Sequence, residues 1–253
     1  MSVNAPRVAH ARYSPAEWKQ RVDLAACYRL ADRYRMGKVI WNHITARIPD
    51  APDEILVFAL GCRYDEVTAS NLVKVSLDGT VVDGPTESLN FAAYVIHGGI
   101  YAARPEVMCV MHTHSRGGQA VACLEEGLLP LSQEAMMFHG DTAYHAYEGI
   151  SDDTAESDRL AADLADKHQM ILRSHGLMTV GQSVGEAFWR MYMLEMACAL
   201  QIDVLSTGRP YILQPPDVCA NVRAQYERDF FPGRYEWPAF LRYLDRVDPD
   251  YAS

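Results

Sequence analysis

The sequence predicts an α/β sandwich, in which a central, mostly antiparallel sheet carries helices on both faces. Two observations support this fold class. Segments with helical periodicity alternate with short apolar runs along the chain, and Asp78-Gly79 marks a hairpin turn between two such runs. The 253 residues, 49% of them hydrophobic, are enough to bury one large core. We expect residues 1–210 to form one domain and residues 211–253 to form a C-terminal tail that packs on the domain or on a neighbouring subunit.

The first half of the chain predicts two helices separated by short strands. Ser14-Pro15-Ala16-Glu17 is a capping box with proline at the first helical position, and its helix should reach about Met36. Short strands are expected at 38–41, 55–60 and 72–76. A second helix should cover 87–103 and end at Arg104-Pro105, because a residue before proline disfavours the helical conformation.

The second half predicts strands and helices in alternation. The apolar run 107–111 indicates a buried strand that leads into His112-Thr113-His114. Helices should follow at 119–126 and at 153–167. Another apolar run breaks at His175-Gly176 and resumes, which predicts two strands joined by a turn. A capping box at Ser183 opens a long helix that should end near Leu205.

Composition excludes several classes of function. The net charge is −10 and no basic cluster stands out, so we expect no nucleic-acid partner. No apolar run approaches the roughly 18 residues of a membrane span, and the N-terminus lacks the apolar core of a signal peptide. The six cysteines are scattered singly, which is typical of free thiols in a reducing compartment. We therefore expect a cytoplasmic protein.

The most informative motif is His112-Thr113-His114. Side chains alternate along a strand, so the two imidazoles should point to the same face and could share one metal ion. His175 is the best candidate for a third ligand, because Gly176 would let the backbone turn and the imidazole project at a strand end. Three neutral histidines leave coordination positions open, as catalytic metal sites do. The alternative is that each histidine makes an ordinary hydrogen bond in the core.

Several longer segments then resemble one known family. They are residues 41–47 (WNHITAR), 64–73 (YDEVTASNLV), 102–105 (AARP), 112–114 (HTH) and 174–177 (SHGL). Together they resemble the class II aldolase/adducin family over roughly residues 17–205. Residues 127–140 and 143–150 are most similar to the adducin-like bacterial group of that family.

The resemblance implies a three-layer α/β/α fold with a nine-stranded antiparallel sheet. It also implies that His112, His114 and His175 bind one divalent ion of zinc, manganese or iron(II). Members of the family are usually tetramers with active sites between subunits, so the resemblance implies a homotetramer.

The sequence departs from the family's sugar-phosphate aldolases at their catalytic and phosphate-binding positions. Aligned without gaps, the catalytic glutamate becomes Ala93, which cannot transfer a proton. Glu87 could replace it only if the helix began differently; the alternative role of Glu87 is to stabilise a helix N-terminus. The phosphate-binding positions become His43, Leu60, Phe91 and Ala92. Three of these side chains offer no donor, so we expect a substrate without phosphate.

Other residues are candidates for acid–base work or substrate binding. Glu134 could act as base, fourth ligand or water orienter, and His145 with Tyr144 forms a second candidate pair. His43 could donate to a substrate carboxylate. Each of these side chains could instead have a structural role. His97 is expected to pack in the core. Four tail residues could close over a neighbour's site: Trp237, Arg242, Tyr243 and Arg246.

These features support three hypotheses on function. The first is a divalent-metal-dependent carbon–carbon lyase, a decarboxylase or an aldolase, acting on a small non-phosphorylated oxo or hydroxy acid, for which an aromatic acid is one candidate. The second is a non-haem iron(II) oxygenase that cleaves an aryl keto or hydroxy acid. The third is a non-catalytic, adducin-like interaction module.

Overall fold

The computed structural model describes residues 12–86, 91–150 and 154–253. In these ranges it contains one eight-stranded sheet and eight α-helices, which confirms the α/β fold class. The strands are β1 (His43–Ile48), β2 (Ala51–Val57), β3 (Val73–Ser76), β4 (Val81–Asp83), β5 (Cys109–Thr113), β6 (Thr142–His145), β7 (Gln169–Leu172) and β8 (Gly176–Gly181). The helices are α1 (Pro15–Arg33), α2 (Phe91–Ala103), α3 (Arg116–Ala122), α4 (Gln133–Met136), α5 (Thr154–Leu164), α6 (Val184–Ser206), α7 (Pro216–Asp229) and α8 (Glu236–Val247).

The strand order is β4-β3-β2-β1-β5-β8-β7-β6. All neighbouring pairs are antiparallel except β6 and β7, whose connection runs through α5, as a parallel pair requires. The expectation of nine strands was wrong for the described chain. Residues 38–41 form only an isolated bridge between Lys38 and Trp41, because Val39 adopts a left-handed conformation (φ 59°) that interrupts an extended chain.

At α1 the local signals placed the start of the helix better than its end. The Ser14 hydroxyl accepts from the backbone N–H of Glu17 at 3.0 Å, so α1 begins at the predicted cap. It ends at Arg33 rather than near Met36, because Arg35 takes a left-handed conformation (φ 57°). No helix in the described ranges is both long enough and apolar enough to cross a membrane.

Helices cover both faces of the sheet near its centre. On one face, His97 of α2 contacts His43 and Thr45 of β1. On the other face, Met111 of β5 lies 4.0 Å from the Cys27 sulfur of α1, and Thr113 contacts α6. Alternation along β5 therefore directs His112 toward the α2 face.

The C-terminal tail packs on the chain's own domain. The Trp237 indole donates to Asp23 in α1 at 3.2 Å. A short 3-10 helix, Pro249–Ala252, ends the chain, and the Tyr251 carbonyl there accepts from the Ala69 N–H at 2.9 Å. These contacts place α8 and the terminus against α1.

Candidate metal centre

Three histidines converge where β5 ends and β8 begins. His112 is in β5, His114 follows that strand, and His175 directly precedes β8. Because β5 and β8 are antiparallel neighbours, with Thr113 opposite Leu177, the end of one strand meets the start of the other. One ring nitrogen from each histidine lies within 4.8 Å of the other two, and the Nε2 atoms of His112 and His114 are 3.0 Å apart.

The donor set fits a divalent transition metal. The Nδ1 atom of His112 lies 2.9 Å from the Leu177 carbonyl, which can only accept, so the proton is on Nδ1 and Nε2 carries a free lone pair. Burial lowers the pKa of His112 well below its usual value and that of His114 to about 4. Burial and the neighbouring His145 lower the pKa of His175. Neutral imidazoles at pH 7 are ready to coordinate zinc, iron(II) or manganese without first losing a proton.

Gly176 was expected to let the backbone turn, but in the structure it serves to bring two strands close together. The left-handed residue in this turn is Ser174 (φ 54°), whereas Gly176 allows two backbones to come close. A Cβ at position 176 would lie 2.3 Å from the Thr113 carbonyl oxygen and 3.0 Å from Cδ2 of His114. The His-Gly pair therefore sets the distance between the two strands that supply the histidines.

The segment after His114 is anchored from two sides. The Asn42 side-chain oxygen accepts from the His114 backbone N–H at 3.2 Å. Glu195 of α6 accepts from the Ser115 hydroxyl and from the N–H groups of Gly117 and Gly118, at 2.5, 2.8 and 2.7 Å. Charge-assisted bonds of this kind are stronger than neutral ones, so Glu195 fixes the start of α3 and the position of His114.

Replacing Glu195 with glutamine is expected to lower the free energy of unfolding by about 1–3 kcal/mol, because an amide cannot accept all three bonds. Urea unfolding of the metal-free chain measures this effect. The matched control is Glu126→Gln, since Glu126 is exposed, and its unfolding midpoint should stay at the wild-type value. Equal midpoints for the two variants would contradict the anchoring role.

His112, His114 and His175 line a cavity of about 410 Å³. Its described lining contains a lysine and several amide, hydroxyl and imidazole groups but no carboxylate. The lining residues are Lys38, Trp41, Asn42, His43, Ile96, His112, His114, Gln119, Tyr147, Gly149, Ile150, Ser174 and His175. Trp41 and Ile150 are 60% and 84% exposed, so the mouth of the cavity is apolar. In a chain of net charge −10, a cavity lined in this way suits an anionic ligand that carries an apolar group.

A buried polar chain extends from the cavity into the core. Nδ1 of His43 lies 3.0 Å from Nε2 of His97, whose Nδ1 lies 2.7 Å from the Thr45 hydroxyl. The Thr45 hydroxyl is in turn 2.9 Å from that of Tyr101. Burial lowers the pKa of both histidines well below the usual value, and a second histidine adds to the effect in each case. This buried polar chain was not predicted from the sequence, although His43 and Thr45 share a strand face and His97 and Tyr101 lie one helical turn apart.

The other candidates from the sequence do not line this cavity. His145 faces α5, where its Nδ1 lies 2.7 Å from an Asp163 oxygen. The Tyr144 hydroxyl accepts from the Leu128 N–H at 3.0 Å and its ring lies under Arg173. Glu134 is on the short helix α4.

The positions compared with the family's catalytic and phosphate-binding residues are only partly described. Ala93 is 1% exposed and packs in the core. Leu60 is 40% exposed and lies outside the cavity lining. Glu87 and the side chains of Phe91 and Ala92 lie outside the described residues.

The chain was compared with known families and solved structures. The profile of the family described as "Class II Aldolase and Adducin N-terminal domain" matches residues 22–202. Alpha-adducin of Mus musculus is 44% identical over 251 residues, which cover 93% of this chain and 34% of that protein.

Two solved structures share most of the fold. An aldolase II superfamily protein from Pseudomonas syringae has a TM-score of 0.90 and 47% identity, with 96% of this chain and 98% of that chain covered. L-fuculose 1-phosphate aldolase from Glaciozyma antarctica has a TM-score of 0.82 and 26% identity, with 98% and 96% covered.

Proposed function

The chain belongs to the class II aldolase and adducin family, and we propose that it is a metal-dependent carbon–carbon lyase acting on a non-phosphorylated oxo or hydroxy acid. The observation that carries this proposal is the convergence of three neutral imidazoles in a cavity whose described lining has no carboxylate. A divalent ion held by His112, His114 and His175 would polarise a substrate carbonyl and stabilise the negative charge that develops as a carbon–carbon bond breaks.

The described lining favours decarboxylation over aldol cleavage because it contains no carboxylate that could act as a base. Retro-aldol cleavage needs a base that removes a hydroxyl proton, and Ala93 cannot serve where the family's aldolases have glutamate. Decarboxylation releases carbon dioxide without that step. Catalytic roles for Glu134 and His145, and a substrate contact for Tyr144, would require these side chains to reach the cavity from another subunit, because within this chain none of them lines it.

The cavity also supports the proposed class of substrate. Lys38 provides a positive charge in the lining, and His43 provides a ring nitrogen there. The apolar mouth formed by Trp41 and Ile150 suits a substrate with an aromatic or aliphatic group. We do not expect a phosphate, because Leu60, Phe91 and Ala92 offer no side-chain donor at the positions that correspond to the phosphate-binding residues of the family's aldolases.

We further propose a homo-oligomer, with the tetramer of the family as the expected form. Apolar side chains on two surfaces support this proposal. Met196 and Leu200 of α6 are 51% and 41% exposed, and Trp41 and Ile150 surround the cavity mouth. Large exposed apolar side chains that lie close together mark interaction surfaces.

A second candidate function is a non-catalytic interaction module. The observation that favours it is the 44% identity to alpha-adducin. An adducin-like module would not need three unprotonated imidazoles directed at one point, so metal content separates the two candidates.

A product assay tests the lyase. Untagged protein is loaded anaerobically with zinc, manganese or iron(II) and incubated with aliphatic and aryl oxo and hydroxy acids. We expect release of carbon dioxide or aldehyde that depends on the metal and is absent for metal-free protein. If the iron-loaded protein consumes oxygen as substrate is lost, the oxygenase hypothesis is correct and the lyase proposal is wrong. If the protein turns over only sugar phosphates, the proposed class of substrate is wrong.

A further inference from the structure

We propose that His145, Glu148 and Glu156 form a second binding site for a divalent cation, which shares no ligand with the three-histidine centre. His145 ends β6, Glu148 lies in the loop that follows, and Glu156 is in the first turn of α5. Asp163, two turns further along α5, holds the His145 ring in the orientation that binds the ion. The inference goes beyond the proposed lyase and does not depend on it.

His145 has a buried ring nitrogen without a partner. The side chain is 4% exposed, and its Nδ1 lies 2.7 Å from a carboxylate oxygen of Asp163. Because a carboxylate accepts, the ring proton is on Nδ1, and Nε2 of the neutral ring carries a lone pair. Nε2 has no hydrogen-bond partner in the part of the chain that the structure describes. A carboxylate that holds one ring nitrogen while the other is free is the arrangement that orients histidine ligands of metal ions.

Two carboxylate oxygens face this lone pair. Oε1 of Glu148 and Oε1 of Glu156 each lie 3.8 Å from Nε2 of His145. This distance is too long for a hydrogen bond, so a proton on Nε2 would not join these atoms. Two ligand atoms with bonds of about 2.1 Å to one ion are at most about 4.2 Å apart. Each carboxylate oxygen is therefore within reach of a cation bound to Nε2.

The cluster carries an excess of negative charge. It contains three carboxylates and one guanidinium, that of Arg159, which donates to both oxygens of Glu148 at 2.5–3.0 Å. Glu156 is 7% exposed, and among the described residues its carboxylate pairs only with His145. Burying a carboxylate without a cation is costly. Since the imidazole is neutral, two negative charges remain, and a divalent cation would neutralise them.

The ligand types indicate the kind of ion. Carboxylates suit manganese and magnesium, whereas an imidazole suits zinc and iron, so a mixed set is compatible with Mn²⁺. We expect weaker binding here than at the three-histidine centre, because Arg159 has to give up part of its contact with Glu148. The ion should therefore be lost during purification and return when it is added.

A cation at this site would fix one wall of the histidine cavity. Tyr147, Gly149 and Ile150 line that cavity, and all three lie in the segment between β6 and α5. The ion would join the strand, this segment and the helix through one ligand each. It would thereby hold Tyr147 and Ile150 in place beside the three histidines.

Titration of Mn²⁺ into metal-free His114→Ala protein tests the site, because the three-histidine centre is disabled in that background. The electron paramagnetic resonance signal of free Mn²⁺ measures binding, and we expect about one bound ion per chain, as a single site requires. Adding Glu156→Gln should weaken binding about a hundredfold or more, and adding Asp163→Asn about tenfold, since loss of an outer partner costs less than loss of a ligand. Glu148→Gln should act as Glu156→Gln does, which separates removal of a ligand from damage to the fold.

Asp158→Asn in the same background is the matched control, since Asp158 is an exposed carboxylate of α5. It should bind Mn²⁺ as the His114→Ala protein does. If Glu156→Gln and Glu148→Gln bind Mn²⁺ as tightly as this control, the ion occupies the remaining ligand histidines and the second site does not exist. Absence of Mn²⁺ binding to the His114→Ala protein would overturn the proposal as well. Failure to find a lyase substrate would leave the Mn²⁺ results intact.

Discussion

Replacing His114 with alanine is expected to weaken binding of a divalent metal by about a thousandfold while the fold is retained. Loss of a second-sphere partner alone costs about 10- to 100-fold, and removal of a ligand should cost more. The fold should persist because His114 is only partly buried, and because the Asn42 and Glu195 contacts involve the backbone and neighbours of His114 rather than its ring. Calorimetric titration with zinc measures the change.

The matched control is His139→Ala, which removes an exposed histidine that does not line the histidine cavity. Its zinc affinity and circular dichroism spectrum should equal those of the wild type. If His114→Ala also binds zinc with wild-type affinity, the assignment of this histidine as a ligand is wrong.

Gly176→Ala is expected to have the largest effect of any single methyl group added near the site. The new Cβ would lie 2.3 Å from a backbone carbonyl, which cannot rotate away as a side chain can, so β5 and β8 would have to separate. Forced overpacking of this kind costs about 3 kcal/mol of unfolding free energy. The same separation would pull His175 from His114, so zinc affinity should fall as well.

Gly98→Ala provides the comparison for this prediction. Position 98 lies within α2, and a Cβ there would meet only the Tyr94 ring at an ordinary 3.6 Å. Alanine also has the higher helix propensity, so this variant should be neutral or more stable by up to about 1 kcal/mol. Gly176→Ala with wild-type urea midpoint and zinc affinity would show that the close approach of the strands is not required.

Part of the histidine cluster could be predicted from the sequence because strand alternation is a local rule. His112 and His114 lie on one face for that reason, and the break at His175-Gly176 indicated a strand end. The pairing of β5 with β8 is not local, and only the fold shows that it brings His175 to the other two.

The buried chain behind His43 depends on tertiary packing. Periodicity correctly placed His97 in the core, but its bonds to His43 and Thr45 exist only because α2 packs on β1. For the same reason the sequence did not show that Tyr144 and His145 contact Leu128 and Asp163 instead of lining the cavity. Their strand, β6, has the sequence Thr-Ala-Tyr-His, and these residue types do not define an apolar face, so neither the strand nor its faces could be inferred from the sequence.

The central claim is that three histidines hold a divalent ion used for chemistry, and metal content tests it most directly. Untagged protein purified anaerobically should contain about one divalent ion per chain by mass spectrometry, as a single three-histidine site requires. The His114→Ala protein should contain almost none. Wild-type protein that carries no metal and takes up none of added zinc, manganese or iron(II) would contradict the account and leave a non-catalytic binding module.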